Sequence, residues 1–249
     1  MLNRNTAPRT QKIQQIDFIR PKEIGITDTV KLLWMENVPN QTSRIDLYFD
    51  AGLRKDRNII VTLCSSLLLS GTHQKSSTEI HDQMDQLGAY FDIGLSHEGL
   101  LISIYALKTN IYEAFQIICD AIENAVFPEE EIKEKIHEKR EKYKISATKV
   151  EFIAQRKFQE KIFHNSPYNE LTNLIDFDTV TRNEIVSFHE ESIKKGLYKV
   201  AIVGSLEENE VLAMVDRCKK YSVQKELKYF GDFCNEAGIF HMEKNAALQ

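Results

Sequence analysis

Apolar and polar positions alternate along much of the chain with two different periods. VKLLW (Val30 to Trp34) and IDLYF (Ile45 to Phe49) are β-rich runs, and the turn-forming VPNQTS between them predicts a hairpin. Asp50-Ala51-Gly52 ends the second run. The pattern then changes to helical spacing from about Arg57 to Ser70, and Gly71 stops it, because glycine accepts the left-handed backbone that closes a helix. Ser76-Ser77-Thr78-Glu79 has the spacing of a capping box and opens a second helix, with Ile80, Met84 and Leu87 on one face, ending near Gly88. AYFDIGLSHEGLLISIYAL reads as two further strands with a turn near Glu98-Gly99. Asn110 is placed to cap a third helix whose apolar face carries Ala114, Ile117, Ile118, Ala121, Ile122 and Ala125, until Pro128 breaks it.

A charged helical stretch follows from Glu129 to about Phe163, with a bend expected near Ser146 to Thr148. Thr181-x-x-Glu184 is a second capping box and opens a helix through His189. YKVAIVG (Tyr198 to Gly204) reads as a buried strand, and Glu207 to Lys220 as a last amphipathic helix. The order of strands, helices, strands, helices, strand and helix is an α+β pattern: an antiparallel-dominated sheet with helices mainly on one face. Residues 1–21 read as an extended arm, 1–230 as one domain including that arm, and 231–249 as a linker toward a second homologous half that is missing from the sequence. No internal repeat is visible.

Composition narrows the function classes. With 42% hydrophobic and 28% charged residues over 249 positions, the chain can build a sizeable core without staples. A net charge of −5, with basic and acidic residues interspersed, gives no basic face for nucleic acid. No apolar run reaches the roughly 18 residues of a membrane span, and no apolar core follows the basic N-terminal residues as in a secretory signal. Cys64, Cys119, Cys218 and Cys234 are widely spaced, and Cys64 and Cys119 lie in apolar stretches. Reduced thiols and a cytoplasmic location are therefore expected. Glycine-rich phosphate loops are absent, so nucleotide binding has no support.

Several short motifs resemble, in order and spacing, the N-terminal half of the insulinase/pitrilysin zinc peptidases, the family that includes mitochondrial processing peptidase. They are Phe49-Asp50-Ala51-Gly52, the helix end LLLSGT closing at Gly71-Thr72, Leu87-Gly88-Ala89 and Phe127-Pro128. Pro167-Tyr168, the Thr181 to Phe188 helix and the strand end Val203-Gly204 continue the series, and the likeness runs over roughly residues 25 to 220. The resemblance implies one α+β half-domain of a pair that faces a peptide chamber. It also implies a zinc site, with H-x-x-E-H on the helix before Gly-Thr and a third glutamate ligand about 75 residues later.

The matching positions here are Thr62, Ser65 and Ser66, and the best match to the third ligand is Glu141, or Glu138 if the register slips. Neutral hydroxyls are not ordinary zinc ligands, and serine cannot take a proton from water at neutral pH. The loop from Gly52 to Thr62 is also shorter than in active relatives. Catalytic residues, cofactor-binding residues and metal are therefore all expected to be absent, with zinc returning only if the non-catalytic reading is wrong. Other candidates reduce to ordinary chemistry. His137 and Glu141 share a helix face at i, i+4 but sit in a solvated charge run, and His97-Glu98 falls at a strand turn. His73, His81, His164, His189 and His241 have no metal-ligand spacing.

The expected function is a non-catalytic homologue of a zinc metalloendopeptidase. It would serve as partner or peptide-holding scaffold for a homologous subunit that keeps H-x-x-E-H, together with its own second half. The alternatives are an active zinc peptidase with unrecognised ligands or a purely structural assembly subunit. Extended peptides would add to a sheet edge formed by the strand ending at Gly94 to Ser96 or by its neighbour ending near Ala106. Nucleic acid and membrane are not expected partners.

Overall fold

A computed structural model describes residues 20–36, 41–164 and 166–223. The N-terminal arm as far as residue 19, the 231–249 linker, Cys234 and His241 lie outside these residues. Six strands form one sheet: β1 (Lys22–Gly25), β2 (Lys31–Met35), β3 (Thr42–Phe49), β4 (Tyr90–Leu95), β5 (Leu100–Leu107) and β6 (Leu197–Val203), in the order β1-β2-β6-β3-β5-β4. Every neighbouring pair is antiparallel except β2 with β6. The antiparallel-dominated α+β architecture expected from the sequence is the one observed.

The β2–β3 hairpin is not formed. β6 enters from the far end of the chain and pairs with both, Leu32 opposite Val200 on one side and Leu47 opposite Val200 on the other. The reason is packing. Val200 and Ile202 supply the row that joins Leu32 and Trp34 to Ile45 and Leu47, so one apolar layer runs unbroken across the sheet. A turn signal in the sequence reports that the chain reverses, not which strand it then pairs with. Leu100, Ile102 and Ile104 of β5 extend this layer, with Phe91, Ile93 and Leu95 of β4 packed at its margin. Full burial of each such side chain contributes about 1.5–3 kcal/mol.

The helices are α1 (Asn58–Leu67), α2 (Ser77–Gln86), α3 (Ile111–Asn124), α4 (Glu129–Ala147), α5 (Val150–Ile162), α6 (Asp176–Thr179), α7 (Arg182–Phe188) and α8 (Glu208–Cys218). They cover the apolar layer, while Lys31, Arg44, Tyr48, Tyr105 and Lys199, none of them buried, stand on the opposite side of the sheet. Both capping boxes form: the Ser76 hydroxyl and the Thr181 hydroxyl accept from the N3 amides of α2 and α7, and Glu79 and Glu184 reach back to the cap amides. Gly71 and Gly88 take positive φ where α1 and α2 end, as expected of glycine there. The expected bend in the charged stretch is a break between α4 and α5.

Asn110 sits at the N-cap of α3 without capping it. Its backbone is helical rather than extended, and its Nδ2 donates instead to the Leu87 carbonyl at 2.8 Å, tying the end of α2 to the start of α3. Cys64, Cys119 and Cys218 are buried and unpaired, with Cys119 pushed up to about 12 chiefly by desolvation. Among the described residues no helix is long and apolar enough to cross a membrane.

Candidate functional site

The motif Phe49-Asp50-Ala51-Gly52 aims α1. Phe49 and Ala51 are buried, and Asp50 donates its amide to the Gly196 carbonyl at 2.8 Å, so the end of β3 is fixed against the start of β6. Gly52 lies directly beneath the β4–β5 turn. A β-carbon there would come within 2.2 Å of the His97 carbonyl oxygen, which excludes every residue but glycine. Arg54, its side chain only 5% exposed, bridges Asp50 at 2.7 Å and Glu98 at 2.9 Å. Lys55 also pairs with Asp50, and the Tyr168 hydroxyl donates to Glu98. His97 lies beside the rings of Phe163 and Tyr168. The His97-Glu98 turn, read from the sequence as plain surface, therefore anchors the entry to α1.

α1 is apolar on its inner side, burying Ile59, Ile60, Val61, Leu63, Cys64 and Leu67. Thr62 is partly buried, Ser65 is buried and Ser66 is exposed. Both serine hydroxyls turn back on their own helix. Ser65 Oγ donates to the Thr62 carbonyl at 3.1 Å, and Ser66 Oγ reaches the Thr62 and Leu63 carbonyls at 2.8 and 3.1 Å. Such back-bonding is what a helical serine does when no external partner claims it.

α4 packs across α1 and leaves a cleft of about 320 Å³ lined by Ser66, Leu67, Ser70, Glu131, Glu134, Lys135 and Glu138. The α4 members follow the i, i+3, i+4, i+7 spacing of one helix face. Of the two candidate third-ligand positions, Glu138 shares this cleft with Ser66. Glu141 is partly exposed and paired with Lys144 at 2.7 Å. Glu138 bonds Lys135 at 2.7 Å and Lys142 at 2.5 Å, and these two ammonium groups hold its carboxyl down to about 2. His137 is exposed.

These residues do not fit a zinc ion. Thr62, Ser65 and Ser66 offer neutral hydroxyls where imidazoles and a general base are required, and the cleft that Ser66 lines holds an ammonium beside its carboxylates. Among the described residues no group of three or more His, Cys, Asp or Glu side chains is placed to hold a metal. His189, read from the sequence as an ordinary histidine without metal-ligand spacing, is the one deeply buried histidine of the described residues. Its Nε2–H donates to the Ile122 carbonyl at 2.9 Å, and its ring meets the edge of Phe127 at 5.1 Å. Phe127 itself takes φ +48°, a left-handed conformation rare for an aromatic residue. Arg182 holds it there, donating to the carbonyls of Phe127 and Val126 at 2.9 and 2.8 Å. Phe127-Pro128 in the sequence marked a family motif and a helix break here; the left-handed backbone at Phe127 was not legible from it.

The same scaffold recurs in known proteins. The sequence profile of the insulinase family (peptidase family M16) matches residues 31–172, more than half of the chain. The chain belongs to this family. It is 20% identical to an uncharacterized zinc protease of Rickettsia felis over 153 residues, covering 61% of this chain and 37% of that protein. Its fold is similar to the crystal structure of a peptidase M16 inactive domain from Pseudomonas fluorescens, with TM-score 0.76 and 17% identity over 84% of this chain and 53% of that one. It is also similar to a protease from Helicobacter pylori, with TM-score 0.69 and 14% identity over 86% of this chain and 54% of that one. The chain thus spans between about a third and about half the length of these relatives.

Proposed function

We infer that the chain is a non-catalytic member of the family that serves an active homologue as partner subunit and holds extended peptides without cleaving them. The observation that carries this reading is the state of α1. α1 is a buried helix at the place the family resemblance gives to the metal-bearing helix, while its three matching positions are hydroxyls, both serines bonded back into the helix. A relative of the same fold is itself described as an inactive domain, which supports the reading.

One edge of the sheet supports the peptide-holding reading. β5 lies between β3 and β4, so of the two candidate strands β4 is the edge, and it packs near α1. Among the described residues no strand pairs with its outer side, and Tyr90 and Asp92 are exposed there, which supports strand addition at this edge. Buried, unpaired Cys64, Cys119 and Cys218 support a reducing, cytoplasmic setting.

The test is to co-express the chain with a homologue that keeps H-x-x-E-H and to measure co-purification, zinc content and peptide capture. The expected result is a stable complex, no stoichiometric zinc on this chain, and no hydrolysis by it alone. Tyr90→Lys and Asp92→Lys should weaken peptide capture by the complex while leaving the complex intact. Stoichiometric zinc whose removal abolishes hydrolysis by this chain would refute the non-catalytic reading. A complex that captures no peptide, or captures it equally well with β4 altered, would leave only a structural subunit.

A further inference from the structure

The α1–α4 cleft carries hydroxyls on its α1 side, where the family resemblance implies metal ligands, and carboxylates on its α4 side. Glu131, Glu134 and Glu138 bring three carboxylates to one face of α4. An ammonium stands among them. Lys135 lies on the same face of α4 as Glu131, Glu134 and Glu138, lines the cleft opposite Ser66 and Ser70, and bonds Glu138 Oε2 at 2.7 Å. Glu138 Oε1 is taken by Lys142 at 2.5 Å, so both oxygens of this carboxylate are engaged.

We propose that the Lys135 ammonium is a built-in cation standing in for the metal of this cleft, so that the site is closed to metal by internal charge as well as by missing ligands. This rests on the non-catalytic reading of α1. Metal entry would require Glu138 to release Lys135 and would place a dication a few ångströms from an ammonium. At roughly 6 Å that repulsion alone weakens binding by about tenfold even with water-like screening. Replacing the two lost imidazoles would therefore give only a poor site while Lys135 remains. Removing Lys135 should convert the cleft into a three-point site of two histidines and Glu138.

The experiment compares the full chain with Thr62→His/Ser66→His, the same pair with Lys135→Gln, and that triple variant with Glu138→Gln. Zinc affinity is measured by competition with a chromophoric chelator, and site geometry by the visible spectrum of added cobalt. Ser65 is left alone because it is buried. The double variant should bind zinc weakly, and Lys135→Gln should tighten binding by about tenfold or more with a tetrahedral cobalt spectrum. Adding Glu138→Gln should reverse the gain. Equal affinity with and without Lys135, affinity indifferent to Glu138, or no binding by any variant would each overturn the proposal.

Circular dichroism of each variant guards against misfolding. If Thr62→His unfolds the chain, Ser66→His alone, at an exposed position, supports the same comparison with nickel. The two readings fail separately. Zinc-dependent hydrolysis by the unaltered chain refutes the non-catalytic function, whereas unchanged affinities among the variants refute only the role of Lys135.

Discussion

At the scale of single residues, what a position does depends on what its neighbours leave it. Ser65 and Ser66 stand where the family resemblance implies a base and a ligand, and the helix itself absorbs their hydroxyls. Read from the sequence, the loss of imidazole was plain; that Glu138 rather than Glu141 faces Ser66 was not, because a one-turn choice along α4 is settled by how the two helices cross. His189 gives a residue-scale prediction. Burial pulls its pKa down to about 4, below the 6.5 of an unperturbed imidazole. The unfolded chain therefore binds the extra proton between these values. Stability from this group is fully present above about pH 6.5 and is lost as pH falls toward 4. His189→Gln keeps an N–H to offer the Ile122 carbonyl but does not titrate. The stability of the native chain relative to this variant should fall by up to about 3 kcal/mol between pH 7 and pH 4, measured by urea unfolding. A gap independent of pH would show that His189 is not held neutral in the fold.

At the scale of elements, local signals worked where local chemistry decides. Ser76-x-x-Glu79 and Thr181-x-x-Glu184 form complete capping boxes because the hydroxyl, the carboxylate and the amides they satisfy all lie within one turn. Ser76→Ala and Thr181→Ala should each destabilise the chain by about 1 kcal/mol. The two boxes share no hydrogen-bond partner, so the double variant should lose about the sum, within roughly 0.5 kcal/mol, in denaturant midpoints. The Thr181 box has a longer reach, since Glu184 also binds Arg57 at the N-cap of α1, at 2.6 Å. Asn110 shows the limit of the same reasoning. It has the right residue type at the right place, but the unsatisfied carbonyl ending α2 claims its side chain. The β2–β3 hairpin failed for a related reason: pairing is a competition, and a strand more than 150 residues away won it.

At the scale of the molecule, burial is uneven, and stability should follow it. α3 buries eight residues, from Ile111 to Ile122, whereas α5 buries none, and Phe158 on it is 65% exposed. Amides of α5 should exchange with solvent through local openings well below the global unfolding energy, while those of α3 and β3 exchange only near it. Equal protection of α5 and α3 in native-state hydrogen exchange would contradict this. The sequence by itself determined the element types, the two capping boxes, the apolar faces, the family likeness and the absence of H-x-x-E-H. These depend on residue identity and on spacings within a few turns, which the chain carries directly. Tertiary structure alone decided that β6 separates β2 from β3, that β4 is the sheet edge, that the His97-Glu98 turn anchors Arg54, and that Lys135 shares a cleft with Ser66. Each of these joins segments tens to hundreds of residues apart, and only the packing of one continuous apolar layer under the helices selects which of the locally equivalent arrangements survives.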